Sequence, residues 1–234
     1  LSPYSYCANN PIKYIDPDGQ DIKPAIKKVY TGTSTPETEH DLAYTAYTGF
    51  STKRNAETGK IDVNINMTVV YSSLMQGADN SVEKENPGLT REIDAHEEGH
   101  QAAIMEAANA EIGITVKIGG KNTEFKGTID EVITNATKAF EAETKTMFET
   151  KKANGEFKTQ ADADAFSTQR SAEYKSSIIN PSGNALNANI KKLHPANSEK
   201  SENVANESAR KKLNGETPYI NVEKKIMING KPIN

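Results

Sequence analysis

The chain has no tryptophan, one cysteine and four histidines among its 234 residues, and little excess of charge of either sign. Each shortage excludes something. A single thiol, Cys7, rules out an intrachain disulfide and any zinc cage built from several cysteines. Asp+Glu 32 against Lys+Arg 28 leaves a net charge of −4, so no general electrostatic grip on nucleic acid is expected. No run approaches the roughly 18 apolar residues that a membrane-spanning helix needs. Hydrophobic residues make up 35% and aromatics 6%, which is wet for a folded protein, but the near-balance of charge argues against disorder. The length suffices for one well-filled core. The first residue is Leu1, with neither an initiator Met nor a signal pattern before it, so the expectation is a piece of something longer.

Residues 1–21 are dense in Asn, Pro, Asp, Gly and Tyr. Asn9-Asn10-Pro11 and Asp16-Pro17-Asp18-Gly19 read as consecutive tight turns. Asp16, Asp18 and Asp21 imitate the start of a calcium loop, but the bidentate Glu that such a loop requires downstream is missing. The order Tyr4, Tyr6, Asn9, Asn10, Pro11, Asp16, Pro17, Gly19 resembles the end of the core domain of bacterial RHS-repeat proteins. That resemblance implies context. In such proteins the segment after the motif is a toxin or effector, delivered to rival cells by a secretion system, with a cognate immunity protein and the parent shell as partners. The expected division is therefore a remnant of the shell motif at 1–21 and a toxin domain at 22–234.

Residues 22–59 show no clear period and read as loop with short pieces of structure. In residues 60–72, by contrast, Ile61, Val63, Ile65, Met67 and Val69 alternate with Asp62, Asn64, Asn66 and Thr68, the pattern of a half-buried strand. A Gly/Asn/Pro stretch at 76–89 leads to a helix from about Thr90 to Glu111. Residues 114–126 read as a hairpin around Gly119-Gly120. Thr128 and Glu131 have capping-box spacing and open a long helix to about Lys152. Helices at 162–177, 185–193 and 199–213 follow, the first two divided by a breaker, Asn180-Pro181-Ser182-Gly183. An Asn-Gly signal near the C-terminus predicts a small hairpin.

The chemistry lies in His96-Glu97-Glu98-Gly99-His100, which fits His-Glu-x-x-His. Residues four apart share one face of a helix, so both imidazoles can reach one ion. Glu97, offset by one residue, falls beside that ion, where it can take a proton from a water that zinc has acidified. Gly99 weakens the helix by about 1 kcal/mol relative to Ala, which a close approach by another backbone would explain.

A catalytic zinc site needs a third protein ligand. No third His stands at the short downstream spacing of metzincins, so a carboxylate is expected. Glu106 lies on the same helix but too far round it to reach. Glu131, Glu141, Glu143, Glu202 and Glu207 are the other helical candidates. Glu202 shares a face with Ala205, Asn206, Ala209 and Leu213, a surface of small and apolar residues suited to packing against the motif helix. Glu207 falls with Arg210 and Lys211, where a surface ion pair accounts for it. Glu202 is the preferred ligand.

This segment is also similar to the Glu-x-x-Ala-Asn-x-x-Ala helix of ImmA/IrrE-like metallopeptidases, within the gluzincins. The resemblance implies a zincin-like α+β fold, mostly helical, with a small antiparallel sheet beside the motif helix. It implies zinc on His96, His100 and Glu202, Glu97 as general base, and hydrolysis of a peptide or amide bond in a protein or peptide substrate. The departure is the long insertion between His100 and Glu202. His194 and Tyr219 are candidate stabilisers of the oxyanion, although helix capping and ordinary half-burial explain each as well. His40 is expected to be inert. The strand at 60–72 is a candidate sheet edge for an extended substrate. Two other readings stand beside this one: a toxin or interaction domain that is not a protease, with structural or vestigial metal, and a protease that releases itself from its parent shell.

Overall fold

A computed structural model describes residues 22–31, 42–75, 80–195 and 198–213, with the short strands at 227–228 and 231–232. Tyr219, His40, Cys7 and the turn-rich motif at 1–21, with the roles and turns expected of them, lie outside the described residues.

The alternating segment forms β3 (Ile61–Ser72), and its burial alternates as its sequence does: Ile61, Val63, Ile65, Met67, Val69 and Tyr71 all face inward. Two further strands, β1 (Ile22–Thr31) and β2 (Ala43–Arg54), flank it where only loop with short pieces of structure was expected. The order is β1-β3-β2, with β1 parallel and β2 antiparallel to β3, so the sheet is mixed rather than purely antiparallel. β3 is therefore the central strand, and the expectation that it offers an edge to substrate is wrong. Its backbone hydrogen bonds are already spent on both sides.

Why β1 and β2 escape a periodicity argument is physical. β1 is largely exposed on both faces and carries Pro24, tolerable only at an edge. In β2 the register shifts between Tyr47 and Gly49, so any alternation changes phase halfway along.

A short helix α1 (Ser81–Glu85) precedes the motif helix α2 (Leu89–Ala108). A hairpin of β4 (Ile112–Ile118) and β5 (Lys121–Gly127) follows, turning at Gly119 and Gly120, both at positive φ. Then comes α3 (Ile129–Ala153), where the Thr128 N–H donates to Glu131 Oε2 at 2.9 Å in the expected capping box. α4 (Gln160–Tyr174) runs through a π-helical turn, Lys175–Ile179, directly into α5 (Asn180–Leu193), and α6 (Glu199–Lys212) completes the helices. The tail strands β6 (Met227–Ile228) and β7 (Lys231–Pro232) pair antiparallel, as the Asn-Gly signal predicts.

The supposed breaker at 180–183 breaks nothing. Pro181 falls in the first turn of α5, where its missing N–H is tolerated, and the π turn supplies the change of register. Gly183 is present for space: a Cβ there would lie 2.8 Å from the Phe50 ring of β2.

The main core lies between the inward face of β3, the hairpin, α3 and α5, and its largest fully buried side chains include Ile65, Ile133, Ile178 and Leu186. α2 crosses this layer, burying Ile104 in the main core and Ile93 in a smaller cluster with Val69, Tyr71 and Val82. The protein is thus α+β, predominantly helical with a small sheet. Among the described residues no helix is long and apolar enough to cross a membrane.

Candidate metal centre

α2 is fixed in azimuth by its apolar residues and by one polar strut, the Tyr71 hydroxyl donating to Asp94 Oδ1 at 2.7 Å. This turns His96 and His100 away from the sheet and towards α6. α6 is started by Ser198, whose hydroxyl accepts from the Ser201 N–H at 3.2 Å. It then lies along α2 through a cluster of Ala95, Ala209 and Leu213, with an ion pair between Glu98 and Lys212 at the margin.

The contact is close because of Gly99. A Cβ on Gly99 would sit 2.7 Å from both Cα and the carbonyl oxygen of Ala205. The glycine inside the motif is thus the point where the second helix backbone touches the first, and its cost in helix propensity is the condition of that contact.

One helical turn from Ala205, Glu202 meets the imidazoles. His96 Nε2 lies 3.1 Å from Glu202 Oε2, and His100 Nε2 lies 3.6 Å from Glu202 Oε1. The two Nε2 atoms are 3.0 Å apart. Of all His, Cys, Asp and Glu groups among the described residues, these three alone cluster closely enough to share an ion. A tetrahedral zinc with bonds of about 2.1 Å separates its ligand atoms by about 3.4 Å, a value within the range of the observed spacings. Two imidazole nitrogens and a carboxylate also form a donor set that zinc favours.

Both rings are held from behind. His96 Nδ1 is 3.0 Å from Asn206 Oδ1, one turn beyond Glu202 on the same face of α6. His100 Nδ1 is 3.0 Å from His194 Nε2, at the C-terminal end of α5. α5 is anchored by buried Leu186 and Ile190, and by Asn189 Nδ2, which donates to the Glu111 carbonyl at 3.1 Å. His194 thus meets His100 on its Nδ1 side, whereas Glu202 lies on the Nε2 side.

Glu97 is only 2% exposed, and Thr45 of β2 donates to its Oε2 at 2.7 Å. Burial pushes its carboxyl above the ordinary range, against the opposing pull of Thr45, His100 and His96. Glu202 is shifted the other way: contact with His100 and His96 holds it well below the usual carboxylate range despite partial burial. For His96, burial opposes the charged form, but Glu202 and Glu97 outweigh it and the net shift is upward. Two carboxyls in one site thus have proton affinities shifted in opposite directions.

The other carboxylates take ordinary roles. Glu207 pairs with Arg210 at 2.6 Å and Lys211 at 3.4 Å, as its face of the helix predicts. Glu143 pairs with the buried Arg170 at 2.8 Å, Glu141 pairs with Arg54, and Glu106 is exposed. Two contributors escaped the sequence reading. Thr45 sits in a strand that carried no recognisable period. Asn206 could be seen on the Glu202 face, four residues on, but nothing in the sequence gave it a partner. No protein-family model, no curated protein and no solved structure matches this chain.

Proposed function

We propose that the protein is a zinc-dependent, zincin-like peptidase, acting as the C-terminal toxin of an RHS-repeat protein, delivered into competing cells and hydrolysing peptide or amide bonds there. The observation that carries the chemistry is the convergence of Glu202 on His96 and His100 from a helix remote in sequence, with Glu97 buried alongside. The RHS context rests on the resemblance of residues 1–21 alone, as do the immunity protein and the parent shell as partners.

A zinc ion held by His96, His100 and Glu202 would supply a Lewis acid for the scissile carbonyl and make water acidic enough to attack near neutral pH. The protein's own residues do the rest. Asn206 and His194 fix the azimuth of the two imidazoles, so that both Nε2 atoms face one point. Glu97 accepts the proton of the attacking water at its carboxylate and returns it to the leaving nitrogen, a role suited to a carboxyl whose proton affinity burial has raised. Thr45 orients that carboxylate through Oε2. An extended substrate cannot add to β3. It would add instead along β2, an edge strand among the described residues and the one that carries Thr45 to Glu97.

The burial of Glu97 favours one alternative, a closed structural metal site in a toxin that is not a protease. The test separates the two. Purified protein is expected to hold about one zinc per chain, lost in His96→Ala, His100→Ala and Glu202→Gln but kept in Glu207→Gln. Glu97→Gln should keep its zinc and lose peptide hydrolysis by about 10²–10⁴-fold, together with toxicity on expression in bacteria. Toxicity that survives Glu97→Gln selects the structural reading. Wild-type protein that is metal-free when prepared without chelators overturns both.

A further inference from the structure

We propose that α6 is a latch: its docking on α2 and the binding of zinc are one equilibrium, so that α6 is the first element to open in the metal-free protein and zinc closes it. The proposal rests on the zinc reading above, since the three donors named there must share one ion.

The apolar hold on α6 is small. Among the described elements it makes extended contact with α2 alone, whereas α5 packs on α2, α3 and β4 together. Its buried apolar side chains are Ala205, Ala209 and Leu213, and the last of these stands at the C-cap, where helices fray. Val204, the largest apolar side chain within the helix, is 41% exposed. The cluster of Ala95, Ala209 and Leu213 is separate from the main core, so α6 has none of the aliphatic packing that holds α5 through Leu186 and Ile190. A helix of 14 residues is marginal in water by itself.

What the seam brings together is polar. The close approach at Gly99 closes α6 over His96 and His100, and carries Glu202 to 3.1 Å and 3.6 Å from their Nε2 atoms. Removing two imidazoles and a carboxylate from water opposes docking, and the few methyl groups of the seam offer little against it. The ion pair of Glu98 with Lys212 is half exposed and adds little more. A cation shared by all three donors reverses the balance.

The other two donors do not depend on α6 for their place. α2 is held to the sheet and the core by Ile93, Ile104 and the Tyr71–Asp94 hydrogen bond. With α6 open, His96 and His100 still share one helix face; with α6 closed, a third donor joins them. By linkage, the factor by which the closed helix tightens zinc binding equals the factor by which zinc favours the closed helix. Loss of the ion therefore loosens the seam and removes the third donor, so the site is regulated by its own metal.

Hydrogen exchange of the full-length chain, followed by mass spectrometry with and without zinc, tests this. In the metal-free protein the amides of α6 are expected to exchange about 100-fold faster than those of α5, or more. Zinc at about 100 times its dissociation constant, that constant being measured by competition with a chromophoric chelator, should slow α6 by about 100-fold. Leu213→Ala leaves all three donors in place. At the same zinc concentration it should speed the exchange of α6 about tenfold and leave α5 unchanged. Should Leu213→Ala fail to fold by circular dichroism, the wild-type comparison decides alone. α6 and α5 exchanging alike without metal, zinc bound with α6 exchange unchanged, or a folded Leu213→Ala exchanging as wild type does, overturns the latch and leaves the zinc reading standing. A chain that binds no zinc in the chelator competition overturns the proposed function, and the latch with it.

Discussion

Beneath the sheet, space is filled by large aliphatic side chains: Val63, Ile65, Ile133, Ile178 and Leu186 are all essentially inaccessible to solvent. Along the seam between α2 and α6 the opposite holds. Gly99, Ala95, Ala205 and Ala209 bring the backbones together, and the buried interior beside them is His96, Glu97 and His100. The first region gains stability from apolar area removed from water. The second buries polar groups that must be oriented by partners, and it gains position instead. One chain thus carries a part selected for stability and a part that draws on it.

The contrast can be broken from either side. The largest effect is expected in the aliphatic region: Leu186→Ala should cost about 2–5 kcal/mol in chemical denaturation, and the fraction that remains folded should keep its zinc stoichiometry. A loss below about 1 kcal/mol would mean that this core is looser than its packing implies.

Next in size is the seam. Gly99→Ala improves helix propensity, yet its new methyl meets the Ala205 backbone, which cannot step aside as a flexible side chain does. A net destabilisation of about 1–3 kcal/mol is expected, with weaker zinc binding as α6 is pushed outward. Gly113→Ala is the control: its Cβ would meet the Lys126 side chain at an ordinary 3.5 Å, so zinc affinity should not change. Equal zinc affinity in the two variants would remove the helix contact from the account of the site.

The smallest effect sharpens the comparison by reversing its sign. Burial raises the Glu97 pKa, so the folded state binds this proton more tightly than the unfolded state does. An unfavourable contribution is therefore absent below the unfolded pKa of about 4.3 and fully present above the folded one. In the metal-free protein Glu97→Gln should raise stability by roughly 1 kcal/mol at neutral pH, a gain that fades as the pH approaches 4. Thermal denaturation across that range checks it, and a loss of stability at neutral pH would show that the Thr45 contact outweighs the burial.

What could be read in advance follows the same division. β3, the hairpin and the long helices announce themselves through periodicity and caps, because their burial is one-sided. The motif on α2 needed only its spacing, and Glu202 could be preferred over Glu207 from which face of α6 carries small residues. The exposed β1 and the bulged β2 could not be read this way, since neither keeps one face buried along its length. Thr45 was lost with β2. The contact of His194 with His100 could not be read either, because a histidine before a proline at a helix end tells nothing of the imidazole opposite it. The run Asn180–Gly183 misled for a related reason. Pro181 answers to its place in a first helical turn, and Gly183 to a ring from a strand remote in sequence.

The donor set also has an order of arrival. Its two imidazoles come from α2 and its carboxylate from α6, the last long helix among the described residues, with the hairpin, α3, α4 and α5 between them. A chain still emerging from a ribosome, with α2 made and α6 not yet, holds the two imidazoles without the carboxylate. Closing so long a loop adds little entropy beyond a shorter one, so distance along the polymer is no obstacle once the helices can meet. During synthesis it sets one order: the three groups can meet only after α6 has been made.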